Sequence, residues 1–466
     1  MRELLRQHFR FFLFTTLAAW ALRLLFILRF PAVTSDSLVY GDIAKNWLQH
    51  GIYGLSGIHD VSPTYIRLPG YPAFLAAVFA IFGREHYHAA MVVQMFVDLG
   101  TCFLVAGMAR RLLSPGAARA AFLLAALCPF FANYSAAALT ETWEIFFTAL
   151  ALDLALAALN RSHQPTSWIW LGCGLSIGTA TLLRPDGGLL LVAVEVYLLI
   201  SIVRLLPAKR EPRAGLASFP TLIKAGLIVA LAAVAPLVPW TLRNLHTLHE
   251  FQPLAPRYAN EENSFVPLGF NRWVKTWMVD YASVEEIYWA VPGAAVDADN
   301  LPTRAFDSAQ QRDQTEQLLD DYNHSLDITP GLDARFAALA ADRIHRAPLR
   351  YYVWLPLLRL ADMWLRPRTE ILPSNTRWWE FDEKPRWLVL GIAFGVAGLL
   401  YVGAALMGLW RGQFALHLGL LLSFVILRSA FLVTLENPEP RYTLECYPVV
   451  IVLASAFAQR WLREPS

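Results

Sequence analysis

The residues of this chain able to do chemistry are few, and they sit beside long apolar stretches. Asp36 lies in Thr34-Ser-Asp-Ser-Leu-Val-Tyr-Gly-Asp, just past the first of those stretches. A carboxylate held at the bilayer edge can accept a proton from an attacking hydroxyl. Its structural alternative is a cap: Ser35 or Asp36 as N-cap of a short surface helix built on Leu38, Ile43, Ala44, Trp47 and Leu48. Arg67 opens Arg67-Leu-Pro-Gly-Tyr-Pro, a turn set by its prolines and glycine. A guanidinium there suits a phosphate, on a bound substrate or on a lipid headgroup. Glu141 and Glu144 stand at the start of a later apolar stretch. The helix macrodipole excuses Glu141, whereas Glu144, a turn deeper, should face the bundle interior or a wet cavity. Arg184-Pro-Asp-Gly, Pro239-Trp-Thr-Leu-Arg243-Asn and Glu436-Asn-Pro-Glu-Pro-Arg441-Tyr442 place further cations at the ends of other stretches.

What must position these residues is a set of membrane helices. Of the 466 residues, 56% are hydrophobic and 16% charged, against about 25% charged in a soluble domain. Spanning helices need roughly 20 apolar residues. Ten stretches qualify, near 9–30, 89–108, 118–137, 142–160, 168–184, 187–206, 221–242, 386–410, 413–434 and 443–462. With no barrel-like alternation, they form an all-α polytopic bundle of about 10, and at most 12, helices. Tyr71 to Gly83 is short, and Tyr351 to Leu365 is interrupted by Pro356, Arg359 and Asp362, so both are expected to lie at the interface.

Charge bias sets the sidedness. With those two stretches off the count, Arg2, Arg6 and Arg10, Arg110, Arg111 and Arg119, Arg161, Arg204, Lys209, Arg210 and Arg213, Arg411, and Arg460 and Arg463 share one side. That side is expected to be cytoplasmic, with both termini inside and the first span an uncleaved anchor. The chain then divides into an N-terminal membrane module (1–242, with an outer segment 31–88), a large extracytoplasmic loop (243–385) and C-terminal membrane helices (386–466). Within the loop, Ala334 to Arg346 has helical periodicity, with Phe336, Leu339, Ala340 and Ile344 on one side; the rest reads as irregular and partly helical.

The net charge of +2 and the lack of basic runs give no nucleic-acid surface. Cys102, Cys128, Cys173 and Cys446 lie in or beside apolar stretches without metal or disulfide spacing. No nucleotide-binding glycine loop and no zinc-protease motif occurs. Gly174 with Gly178, and Gly391 with Gly395, are small-residue pairs expected at close helix contacts.

Taken in order, Asp36, Arg67-Leu-Pro-Gly-Tyr-Pro, Thr140-Glu141, Arg184-Pro-Asp, Pro239-Trp-Thr-Leu-Arg-Asn and Pro440-Arg-Tyr resemble the layout of the GT-C superfamily. The branch it is most similar to holds protein O-mannosyltransferases, the lipid A aminoarabinose transferase and RgtA/B/C/D-like bacterial enzymes. The resemblance covers residues 10 to about 260 and 386 to 460. It implies a hexosyl- or pentosyltransferase that takes its sugar from a polyprenyl-phosphate donor and passes it to a lipid, glycan or protein hydroxyl. It also implies an active site on the outer face of a bacterial inner membrane. Asp36 maps onto the proposed base, and Ser37 stands where relatives often carry a second acid. Arg67 maps onto a basic residue holding the donor phosphate, with Arg243 and Arg441 the next candidates. Glu141 matches a position where some relatives place a metal or acceptor contact; a divalent metal stays open and no ligand set is assigned. Tyr40 and Tyr442 are further candidates to contact the acceptor or support these groups. Two other readings remain: a secondary transporter of a small polar solute, and a noncatalytic envelope scaffold.

Overall fold

A computed structural model describes residues 1–161, 166–205, 218–261, 264–380 and 384–462. Lys209, Arg210, Arg213 and Arg463, which contributed to the expected sidedness, lie outside the described residues. The chain divides into two units: Met1–Glu261 with Leu400–Leu427 and Leu444–Ser466, and Glu262–Leu399 with Arg428–Thr443.

The first unit opens with α1 (Arg2–Gln7), α2 (Phe9–Arg29) and α3 (Ser35–His50), then a hairpin of β1 (Gly54–Ser56) and β2 (Val61–Pro63). It continues through α4 (Gly70–Phe82), α5 (Tyr87–Leu112), α6 (Pro115–Ala126), α7 (Pro129–Ser135), α8 (Glu141–Leu159), α9 (Ser167–Leu183), α10 (Leu189–Leu205), α11 (Phe219–Val234) and α12 (Leu237–Leu248). Among the described residues, seven helices are long and apolar enough to cross a membrane, or eight if the α6–α7 pair, bent by 49°, is one span. Of the ten expected spans, 118–137 is this bent pair, and 168–184 and 413–434 are shorter helices of 17 and 15 residues. Pro185 ends the first of these. At 17 residues it is about 26 Å long, at the lower limit for crossing. Residues 71–83 form the 13-residue α4, whose roughly 20 Å falls short of a hydrocarbon core about 30 Å thick.

The α6–α7 break has a local cause and a remote remedy. Pro129 has no N–H for the Ala125 carbonyl four residues back. Arg23, fully buried on α2, donates to that carbonyl at 3.2 Å and to the Ala126 carbonyl, and its Nε meets Asp98 of α5 at 2.6 Å. A charge at this depth is held by a partner and by freed carbonyls, as membrane burial requires. Gly174 and Gly178 bring α9 onto α11: a Cβ on Gly174 would stand 2.6 Å from the Val229 carbonyl oxygen, and one on Gly178 2.5 Å from that of Ala233. The close-packing reading of this pair follows from that approach.

The second unit contains α13 (Leu268–Lys275), the one-turn α14 (Tyr281–Ser283), α15 (Ala309–Ser325), α16 (Pro330–Arg346) and α17 (Leu355–Leu365). Beyond these run α18 (Pro385–Arg411), α19 (Leu418–Leu432) and α20 (Tyr447–Ala458), which the unit division crosses or assigns to the first unit. Phe336, Leu339, Ala340 and Ile344 of α16 are buried, as the periodicity predicts. The surrounding loop is more ordered than its composition suggests, because Trp273, Trp277 and Phe336 centre one aromatic core. Arg343 ties that core together, donating to Thr276 Oγ1 at 2.9 Å and to the Ala305 carbonyl at 2.6 Å.

Burial of the Glu370 carboxyl pushes its pKa up to about 7, against the pull of Arg368 and Arg441. The folded state therefore keeps a proton that the unfolded chain releases near pH 4.5, so the stabilising protonated form is fully present below that pH and lost as pH rises through 7. Thermal melts of the detergent-solubilised protein should show a midpoint that falls between pH 5 and pH 8. In Glu370→Gln that fall should shrink; an unchanged fall in the variant would refute the assignment.

Candidate active site

Asp36 sits in the first turn of α3, but the cap is its neighbour. Thr34 Oγ1 accepts from the Ser37 amide at 3.4 Å and Ser37 Oγ accepts from the Thr34 amide at 3.0 Å, a reciprocal capping box. The expectation of Ser35 or Asp36 as N-cap is corrected accordingly. Ser37 is wholly buried in that box, so the position where relatives often carry a second acid here serves the helix start.

Relieved of capping, the Asp36 carboxylate meets Arg67 Nη2 at 2.8 Å. The two side chains are 34% and 23% exposed, so the pair is open to an approaching molecule. Arg67 is aimed by its own turn: Tyr53 donates from its hydroxyl to the Arg67 carbonyl at 2.8 Å, and Leu68 packs with Ile43, Tyr53, Tyr65 and Trp240. Gly70 allows the turn to press against the end of α9, since a Cβ there would stand 2.6 Å from the Leu182 carbonyl oxygen. Arg67 Nε is enclosed and makes no hydrogen bond. One donor of the guanidinium is thus unspent.

Tyr40, one turn along from Asp36, packs edge-on against Tyr71 at 5.2 Å between centroids, and the Arg67 guanidinium stands 5.8 Å from its ring centroid. Burial pushes the Tyr40 hydroxyl well above its ordinary pKa, as does the Asp36 charge, with Arg67 and Arg184 opposing. It is a neutral donor at physiological pH.

Glu141 is brought here by a strap of backbone. The Ala32 amide donates to the Ala136 carbonyl and its carbonyl accepts from the Ala138 amide, both at 2.9 Å. Gln94 Nε2 holds the Ala137 carbonyl at 2.6 Å and its Oε1 accepts from the Tyr71 hydroxyl at 2.8 Å. Arg184 faces three carboxylates: Asp186 at 3.4 Å, Glu144 at 3.8 Å and Glu141 at 3.9 Å. The sequence marked Arg184 only as another cation; the Arg-Pro-Asp spacing at a helix end was the available signal of this cluster.

Arg243 is anchored on backbone carbonyls. Its Nη1 donates to the Thr64 carbonyl at 2.8 Å and to Asn244 Oδ1 at 2.9 Å, and its Nη2 to the Tyr53 carbonyl at 2.5 Å. The guanidinium also lies over the rings of Tyr53 and Trp240. It clasps the segment that carries Arg67. Arg441 and Tyr442 belong to the second unit, where Arg441 Nε pairs with Glu439 Oε2 at 2.5 Å and the Tyr442 hydroxyl donates to Glu439. Among the described residues, no group of three or more His, Cys, Asp or Glu side chains is arranged to hold a metal ion.

The chain superposes on the archaeal oligosaccharyltransferase AglB from Archaeoglobus fulgidus, solved with an inhibitory peptide and a dolichol-phosphate: TM-score 0.51, 13% identity, covering 97% of this chain and 50% of that one. A second structure of the Archaeoglobus fulgidus oligosaccharyltransferase, tethered to an acceptor peptide containing the NVT sequon, gives TM-score 0.52 at 14% identity over 97% and 49%. ArnT from Cupriavidus metallidurans bound to undecaprenyl phosphate aligns at TM-score 0.39 and 15% identity over 96% and 77%. The chain spans about half the length of the archaeal enzymes. Its fold defines its class: a multi-pass helical membrane protein with the GT-C fold. Within that class, residues 63–240 match the family described as dolichyl-phosphate-mannose-protein mannosyltransferase. No curated protein matches the chain.

Proposed function

We propose that the protein is a glycosyltransferase that moves a sugar from a polyprenyl-phosphate donor to a hydroxyl acceptor on the outer face of the inner membrane. The observation that carries this reading is the open Asp36–Arg67 pair, in which a partly exposed carboxylate lies 2.8 Å from a partly exposed guanidinium. The family match, which includes Arg67, Glu141 and Arg184, supports it. So does the GT-C fold, shared with an archaeal enzyme that was solved with a dolichol-phosphate.

In the proposed reaction Asp36 takes the proton of the acceptor hydroxyl, whose oxygen attacks the anomeric carbon. The bond from that carbon to the phosphate oxygen breaks, and the electron pair leaves on the polyprenyl phosphate, where Arg67 stabilises the added charge. Direct displacement inverts the anomeric centre. Tyr40 and Glu141 contact the acceptor or support the pair, with Glu141 oriented by Arg184. Arg243 holds the Arg67 segment in place.

The test is transfer from radiolabelled polyprenyl-phosphate hexoses and pentoses in membranes containing the protein. Label should pass to an acceptor only where the protein is present. If no donor is consumed while a polar solute crosses sealed vesicles, the transport reading replaces this one.

A further inference from the structure

On the far side of α3 from Asp36, a cleft of about 810 Å³ opens between three elements. α3 contributes Asp42, Lys45 and Gln49, the β1–β2 turn contributes Asp60, and the α4–α5 turn contributes Arg84 and Glu85. The walls are built rather than incidental. Asp42 accepts from the Ser56 amide and hydroxyl, each at 2.8 Å, and buried Asn46 donates to the Gly54 carbonyl at 3.1 Å, so the hairpin is fastened to the helix. Lys45 bridges to Glu85 at 2.7 Å. Glu85 itself holds a left-handed φ of +58°, a conformation that costs a non-glycine residue free energy and persists only where surroundings impose it. Turned so that its amide oxygen faces the guanidinium, Gln49 accepts from Arg84 twice at 3.1 Å.

We propose that this cleft binds the distal part of a carbohydrate acceptor. Its lining mixes three carboxylates with two cations, the imidazoles of His50 and His59 and side-chain amides, so it offers donors and acceptors together without the excess positive charge a phosphate requires. A neutral, hydroxyl-rich molecule, able to donate and accept at each ring position, matches that surface. Asp42 lies six residues beyond Asp36 on the same helix, about 9 Å along its axis and around a cylinder some 10 Å across. An extended glycan could therefore be anchored here while its terminal hydroxyl reaches Asp36, and remote binding of this kind orients the reacting end. The proposal rests on the transferase reading above and names its acceptor class.

The test uses the detergent-purified full chain, with maltotriose, mannotriose and chitotriose as probes in saturation-transfer NMR. At least one trisaccharide should bind, and the Gln49→Leu/Asp60→Ala variant, both positions being exposed, should weaken it about tenfold, the loss expected for a hydrogen bond to a charged group. In transfer assays the same variant should raise the KM for that trisaccharide by a similar factor and affect kcat much less. Equal binding by both proteins, or none by the wild type, overturns the proposal. Binding that is lost in the variant while neither protein consumes donor leaves the cleft standing and removes the transferase reading instead.

Discussion

Asp36→Asn protein should fold, insert and melt like the wild type, yet transfer sugar some 10²- to 10⁴-fold more slowly, the range expected for removing a general base. The substitution keeps side-chain size and first-turn position, and it leaves the Thr34–Ser37 capping box intact. A partly exposed ion pair contributes only about 0–1 kcal/mol to stability, so the lost Asp36–Arg67 bond should not unfold α3. The measurement is transfer from labelled polyprenyl-phosphate sugar at matched expression, with Thr34→Ala as the contrasting variant. Loss of that cap should lower stability by roughly 1 kcal/mol with a far smaller effect on rate. Wild-type turnover by Asp36→Asn would eliminate Asp36 as the base.

Much of the bundle was legible because membrane burial writes itself as long apolar runs, which need no knowledge of neighbours. The buried α16 face was equally legible, since Phe336, Leu339, Ala340 and Ile344 share one helical stripe. What escaped depends on contacts between residues distant in the chain. Asp36 and Arg67 were each identifiable, but their contact depends on the β1–β2 hairpin, whose three-residue strands are too short to show alternation. The Arg243 guanidinium donates to carbonyls 179 and 190 residues away, a pairing that no local pattern announces. The helix that packs with the α16 face was hidden: α15 is polar along most of its length and buries only Gln311, Thr315, Leu318, Leu319 and Tyr322.

Arg67 separates the proposed mechanism from a purely structural ion pair. If Arg67 only held Asp36 in place, Arg67→Met and Asp36→Asn would impair the protein in the same way. A donor-phosphate role predicts opposite effects on ligand binding. Arg67→Met should lose most of its affinity for undecaprenyl phosphate and slow transfer about 10²- to 10³-fold, comparable to losing one preorganised transition-state donor. Asp36→Asn should bind undecaprenyl phosphate at least as tightly as wild type, because removing the carboxylate releases the guanidinium it engages at 2.8 Å. Arg67→Lys should recover only part of the activity. A single ammonium can balance charge, but it cannot hold Asp36 through one nitrogen while turning a second, planar donor to the phosphate, as a guanidinium can. Binding measured by competition with a fluorescent polyprenyl phosphate distinguishes the two cases. Equal affinities in all three variants would leave Arg67 a holder of Asp36 and move the phosphate contact to another cation.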